Sequence, residues 1–466
     1  MRIRLRCLLA MLAVLALAVA MTDGWGFFTP VAFGCGLAAL LLSLAACTGP
    51  DWEWQAPTWV GWAIPAGLLA PLALFLSGFG ALHAEVLSQV DYPETVNARV
   101  VKYLPLIAGA GLVILASLLI HRKALVERWR GLFLGQVGLL FLAGAGLRVT
   151  AVLAVPDPSI DVYSALQEAP RFLLHGKNPY TADYSDSWPY ADPPQEYDAP
   201  PFYPPLPILL ALPFRAAGVD IRYANVLCDL LAALVLLATG WSRGRPLVGA
   251  LAMGTYLFFP RMPFMMEQSW YEPMLAATLG GGLWLVERRY RFGNILLGLG
   301  LTGKQYGVVL LPPLVVALRK HWRALLLGIV LACLCVLLPF FLWDPHAFLD
   351  VVVFKQLQRP IRDDSLTLQS GAINLAGYQL SQGLLWGVAL LLIGWISWRA
   401  REPGTGAALW LGTTLLAFCF CHSQGYFNYF YLCQYLWLLG IAGLGRCPHA
   451  PLAFVSSSLF SPFMRT

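Results

Sequence analysis

Few residues in this chain are equipped for chemistry, and their positions are informative. Asp161 stands early in an acidic, aromatic stretch, residues 156–203, ahead of Val162, Leu166, Ala169 and Leu173 at i, i+4, i+7, i+11 spacing. That spacing predicts an amphipathic helix opening at Asp161, with Gly176 ending it and Asn178-Pro179 turning the chain. A carboxylate at a membrane surface beside apolar helices has its pKa pushed towards working pH, which suits a general base. It suits a water-facing helix N-cap as well, and spacing alone favours the cap.

Lys304 separates two short apolar runs. A charge at that depth is functional or paired, and a snorkelling lysine is an equal reading. Arg359 and Arg362 lie beside Asp363 and Asp364, which offer them a solvated surface network. His422 follows an apolar run and reads most simply as hydrogen-bonded structure. Glu267, Gln268 and Glu272 cluster at one span end, as water-facing polar residues or as partners for hydroxyl groups. Asp229 lies inside a run, with Arg222 seven residues earlier on the same helix face as its expected structural partner.

The elements that position these residues follow from composition. The 466 residues are 58% hydrophobic and 12% charged, with mean hydropathy +0.66. A soluble domain carries about 25% charge, so a soluble fold could not cover its surface. Apolar runs fall near 7–22, 28–47, 57–79, 103–120, 131–155, 221–240, 246–260, 268–286, 292–302, 305–318, 324–342, 379–398, 405–421 and 426–444. They predict an all-α polytopic membrane protein of about 12–14 spans. Two runs around Lys304 are too short to cross alone and predict a broken hairpin. Residues 204–217 are too short as well and predict an interfacial helix.

With Arg2, Arg4 and Arg6 in the cytoplasm, 19 of the 31 Lys and Arg fall on cytoplasmic segments and 19 of the 25 acids fall outside. The Lys/Arg bias is the orientation signal. It puts loops 156–203 and 343–370 on the outer face of a plasma or inner membrane. The +6 net charge then reflects orientation and contact with membrane lipid rather than nucleic acid or another acidic partner. Residues 1–20 also look like a signal peptide, ending Ala18-Val19-Ala20, although a chain with this many later spans more often keeps such a segment as its first helix.

No cofactor or metal signature is visible. The ten cysteines are scattered without CxxC or zinc spacing, and there is no HExxH or dinucleotide fingerprint. Gly298 to Lys304 fits the GxxxxGK part of a phosphate loop. Gln305 stands where a magnesium-binding hydroxyl belongs, and the stretch is apolar, so the match reads as coincidence. The outer loop 156–203 holds eight acids, two bases and nine prolines with Tyr163, Tyr180, Tyr184, Trp188, Tyr190, Tyr197, Phe202 and Tyr203. A loop so long and aromatic is functional rather than disordered.

In chain order stand Ser159-Ile160-Asp161-Val162-Tyr163, Gly176-Lys177-Asn178-Pro179-Tyr180, Tyr203-Pro204-Pro205-Leu206, an interfacial helix ending at Gly218, and Ile221-Arg222-Tyr223-Ala224-Asn225. Gly303-Lys304-Gln305 before Leu311-Pro312 and Asp363-Asp364-Ser365-Leu366-Thr367 follow. This order resembles the GT-C superfamily of polyprenyl-phosphate-sugar-dependent glycosyltransferases, nearest to bacterial mannosyltransferase-like members, over residues 140–445. Two features depart from the pattern. Four spans precede residue 130, and Val162 follows Asp161 where some relatives carry a second, metal-binding acid.

The resemblance implies a GT-C-like bundle with interfacial helices in the outer loop 156–218. It divides the chain into additional N-terminal spans (1–130), the catalytic-loop span and loop (131–220), a C-terminal bundle (221–445) and a cytoplasmic tail (446–466). It also implies an inverting glycosyltransferase that moves a sugar, mannose favoured, from a polyprenyl-phosphate donor to a hydroxyl of a glycolipid or glycan acceptor. Asp161 would be the general base. Lys304, Arg359, Arg362 and His422 would bind the donor phosphate, and Tyr180, Tyr203, Gln268 and Glu272 sugar or acceptor. A transporter or flippase of lipid-linked saccharide is the competing class. Transporters commonly show repeated halves, whereas no repeat is visible here and the polar residues gather in outer loops.

Overall fold

In hydrocarbon every backbone amide must find its partner within the chain, so apolar runs become helices. A computed structural model describes residues 2–23, 27–50, 52–55, 97–120, 130–158, 160–184, 203–400, 402 and 404–444. The span expected at 57–79, the loop aromatics Trp188, Tyr190, Tyr197 and Phe202, and the tail 446–466 lie outside the described residues.

The chain is an all-α polytopic membrane protein. Seven described helices are long and apolar enough to cross a membrane: Leu5–Thr22, Pro30–Thr48, Arg99–Leu118, Arg130–Ala154, Arg222–Ser242, Arg319–Trp343 and Gly404–Cys421. Shorter apolar helices at Leu206–Ala216, Pro246–Leu257, Phe292–Thr302 and Gly307–Ala317 fill in between them. The strands Arg2–Arg4 and Glu53–Gln55 form a small antiparallel ladder.

Helices Ala408–Cys421 and Phe427–Gly443 form the centre. Every residue of the first is buried, and helices 5–22, 222–242, 246–257 and 272–287 pack around the second. Close approach depends on Gly440, where a Cβ would come within 2.7 Å of the Leu409 backbone. The N-terminal helices also belong to this core. Cys47 Sγ lies 3.4 Å from the Thr413 hydroxyl, and Arg6 pairs with Glu402 at 2.5 Å. By contrast helix Trp322–Ala332 turns Leu326 and Leu327 outward, 51% and 59% exposed. It continues through a π-helical turn, Cys333–Leu337.

The break between the two short runs forms as expected: helices Phe292–Thr302 and Gly307–Ala317 flank a turn that carries Lys304. The phosphate-loop match is indeed incidental. Gly298 sits within a helix against the backbone of Gly328, so it serves helix packing.

Two local expectations are corrected. Asp161 is not the N-cap: Ile160 holds that extended position, and Asp161 is the first helical residue of Asp161–Leu174, its Oδ1 accepting from the Val162 N–H at 2.8 Å. Val162, Leu166 and Ala169 are buried as their spacing requires, and Gly176 ends the helix at φ +70°. Asp229 does not pair with Arg222. Arg148 of helix 130–154 reaches it, Nε to Oδ2 at 2.5 Å, and the hydroxyls of Tyr256 and Tyr431 donate to the same carboxylate. Arg222 lies at the start of its helix, where Asp220 (2.9 Å) and the Val155 and Pro156 carbonyls (2.7 and 2.9 Å) hold it. A helix mate two turns away loses to groups that need no reach along the helix.

Candidate functional site

The candidate residues come from six segments, each brought to one end of the bundle by the start of a helix or by a connecting loop. Asp161 opens Asp161–Leu174, Tyr203 precedes Leu206–Ala216, Glu272 opens Glu272–Glu287, Lys304 is the hairpin turn, and Asn428 and Tyr429 open Phe427–Gly443. Arg359 lies in the connection before Thr367.

Asp161 is half-buried, and its carboxyl is held above the ordinary carboxylate range. Burial is the main cause, opposed by the Val162 N–H and by the positive field of Arg359. Tyr203 feels the same two charges. Burial and then the Asp161 carboxylate push its phenol well up, while Arg359 pulls it down. Asp161, Tyr203 and Arg359 thus share one electrostatic neighbourhood although nearly 200 residues separate the first from the last.

Below them Lys304 pairs with Glu272. The rings of Tyr429 (4.5 Å), Tyr271 (4.7 Å), Tyr306 (5.3 Å) and Tyr203 (6.0 Å) surround its Nζ. Glu272 Oε1 also accepts from Asn428 Nδ2 at 2.8 Å and from the Tyr306 hydroxyl at 3.3 Å. Gln305, next in the hairpin turn, donates to the Val352 carbonyl at 3.1 Å, inside a second π-helical turn, Asp350–Phe354.

The other expected residues divide. His422 packs between Trp386 and Phe418, with Nδ1 3.2 Å from both N and O of Gln424. Burial lowers its pKa and Arg359 lowers it further, against the Gln424 contact, so the ring is neutral at pH 7. It offers hydrogen bonding rather than charge. Arg359 reaches the Gln424 side chain at 3.4 Å, which ties it to the His422 loop. Arg362 is engaged by Asp364 through Nε at 2.8 Å and through a second contact, as a surface network requires.

Tyr180 is buried against Phe340 and Phe348 and donates to the Tyr203 carbonyl at 2.7 Å. It braces Tyr203. Gln268 donates to Glu267 at 2.7 Å. Tyr271 and Tyr306, and the parts played by Asn428 and Tyr429, were not legible in the sequence. Their one signal is a polar residue next to a helix start in an otherwise apolar chain. Among the described residues no three His, Cys, Asp or Glu side chains gather to hold a metal ion.

No curated protein and no solved structure matches the chain. Residues 202–423 match the family model of glycosyltransferase family 87. That stretch carries Tyr203, Gln268, Glu272, Lys304, Arg359, Arg362 and His422, and Asp161 precedes it. Over that stretch the chain is similar to glycosyltransferase family 87, a GT-C-type family of polyprenyl-phosphate-sugar glycosyltransferases.

Proposed function

We propose that this membrane glycosyltransferase inverts the anomeric centre of a sugar, mannose favoured, as it moves it from a polyprenyl-phosphate donor to a hydroxyl of a glycolipid or envelope glycan. Asp161 takes the acceptor proton, and the freed oxygen attacks the anomeric carbon on the face opposite the phosphate. The carbon–oxygen bond to phosphate breaks, and its electron pair leaves with the polyprenyl phosphate. Arg359, aided by the neutral His422 as a hydrogen-bond partner, stabilises that departing charge. Arg362, shared with Asp364, contributes at longer range. The Lys/Arg bias supports a site on the extracytoplasmic side of the cell membrane.

The observation that carries this reading is the juxtaposition of a carboxyl with a raised pKa and a guanidinium, Asp161 and Arg359, at the bundle end. A base and a cation within each other's electrostatic field match a reaction that removes a proton at one oxygen while another becomes negative. Radiolabelled polyprenyl-phosphate sugar supplied to the purified protein in membranes tests it. Transfer of label to lipid or glycan supports the enzyme, and transbilayer movement without transfer refutes it.

A further inference from the structure

The carboxylate of Glu272 is unevenly used. Lys304, Tyr306 and Asn428 all donate to Oε1, whereas Oε2 is buried without a hydrogen-bond partner. Two neighbours share this condition: the amide oxygen of Asn428 and the hydroxyl of Tyr271. Glu272 is 0%, Tyr271 1% and Asn428 5% exposed. Buried polar atoms in folded proteins nearly always find partners, and three gathered around one ion pair need an explanation.

Their chemistry selects what would complete them. Glu272 Oε2 and Asn428 Oδ1 only accept, the Tyr271 hydroxyl donates or accepts, and the Lys304 ammonium has three protons, of which Glu272 takes one. A phosphate oxygen only accepts, so it would leave Oε2 and Oδ1 unmatched and would set its charge against Glu272. A hydroxyl donates and accepts at once, so neighbouring hydroxyls match this mixture of acceptors and donors in kind. Tyr203 and Tyr429, both half-buried, turn ring faces to the Lys304 ammonium and carry the cage towards the surface.

We propose that Tyr271, Glu272, Lys304 and Asn428 form the subsite that reads vicinal hydroxyls of the donor sugar, with Lys304 serving the sugar and not the phosphate. This rests on the donor chemistry proposed above. It makes Tyr271 and Asn428 residues that determine specificity, and it divides the cations by task, Arg359 for phosphate and Lys304 for sugar.

The test measures binding to the full-length protein in nanodiscs of polyprenyl phosphate bearing mannose, glucose or arabinose, and of bare polyprenyl phosphate. One glycosylated lipid is expected to bind more tightly than the bare one. Tyr271→Phe and Asn428→Leu should each weaken that lipid about tenfold while leaving the bare lipid unchanged. Arg359→Gln should weaken both lipids alike. Variants that keep the full preference for the sugar would mean these atoms hold only water, and variants that weaken both lipids equally would mean a phosphate or packing role. Either result overturns the subsite, while labelled transfer by the unaltered protein would still uphold the enzyme. An unaltered protein that neither binds these lipids nor transfers label removes both readings. Tyr271→Phe deletes one oxygen from a ring that keeps its packing, so it guards against a result that merely reports misfolding.

Discussion

Among the described residues, two buried acid–base pairs, Arg148–Asp229 and Lys304–Glu272, are finished differently. Both oxygens of Asp229 are occupied, by Arg148 and by the hydroxyls of Tyr256 and Tyr431, and Arg148 also donates to the Gly144 and Leu257 carbonyls at 2.9 and 3.0 Å. That pair draws together helices 130–154, 222–242, 246–257 and 427–443 and is fully shielded. Glu272 is as deeply buried, yet Oε2 has no hydrogen-bond partner and its neighbours Asn428 and Tyr271 each carry a further unmatched atom. A buried carboxylate with both oxygens accepting acts as a pin between helices. One left partly unmatched, close to the half-buried Tyr203 and Tyr429, has capacity for a ligand.

The largest effect should come from a residue in neither pair. Asp161→Asn is expected to lower turnover by about 10²–10⁴-fold at unchanged protein level and unfolding temperature, the loss typical of a general base. Retained turnover in the labelled-sugar assay would remove Asp161 from the mechanism.

Next comes the pin. Asp229→Leu leaves Arg148 buried without its counter-charge and should destabilise the protein by about 3–5 kcal/mol, read as a lower unfolding temperature in detergent. Adding Arg148→Met should recover most of that loss together with activity. The corresponding double change, Glu272→Leu with Lys304→Met, should recover stability but not sugar binding. If the two doubles behave alike, the distinction between pin and site collapses.

A smaller effect concerns the charges around Asp161. Reversing Arg359 to Glu should raise the apparent KM for the lipid donor by roughly tenfold, the scale of one lost charge-assisted hydrogen bond. Because Arg359 lowers the pKa of Asp161, Arg359→Gln should raise that pKa further. A base works only when deprotonated, so the acidic limb of the kcat/KM profile should move to higher pH. A limb that stays or moves down would show that Arg359 does not act on the base. Smallest of all, Arg362→Gln should change donor KM by less than about threefold, because Asp364 already shares its charge.

Much of the scaffold was legible in advance. Val162, Leu166 and Ala169 announced an amphipathic helix, since only a 3.6-residue repeat buries that set together. The short runs on either side of Lys304 announced a break in the helix there, since neither spans hydrocarbon. The site was less legible. The resemblance assigns Glu272 to sugar and Lys304 to phosphate, but nothing in their spacing says that they meet. Helix periodicity points Asp229 to the wrong arginine, because it sees only partners on the same helix. The sequence groups His422 with the phosphate binders, but only the structure shows the burial between Trp386 and Phe418 that keeps the ring neutral.

Composition and apolar run lengths alone determined that the chain is helical and membrane-embedded, and the order of motifs from Asp161 to Thr367 pointed to its enzyme class. Those properties are local or additive along the chain. Which helix takes the centre, which arginine meets Asp229 and what surrounds Lys304 were decided only by tertiary structure. The physical reason is that spans apolar on every side carry little preference for a face. Their neighbours are set by close contacts such as Gly440 on Leu409 and by the need of each buried charge for a partner, both arising between segments far apart in sequence.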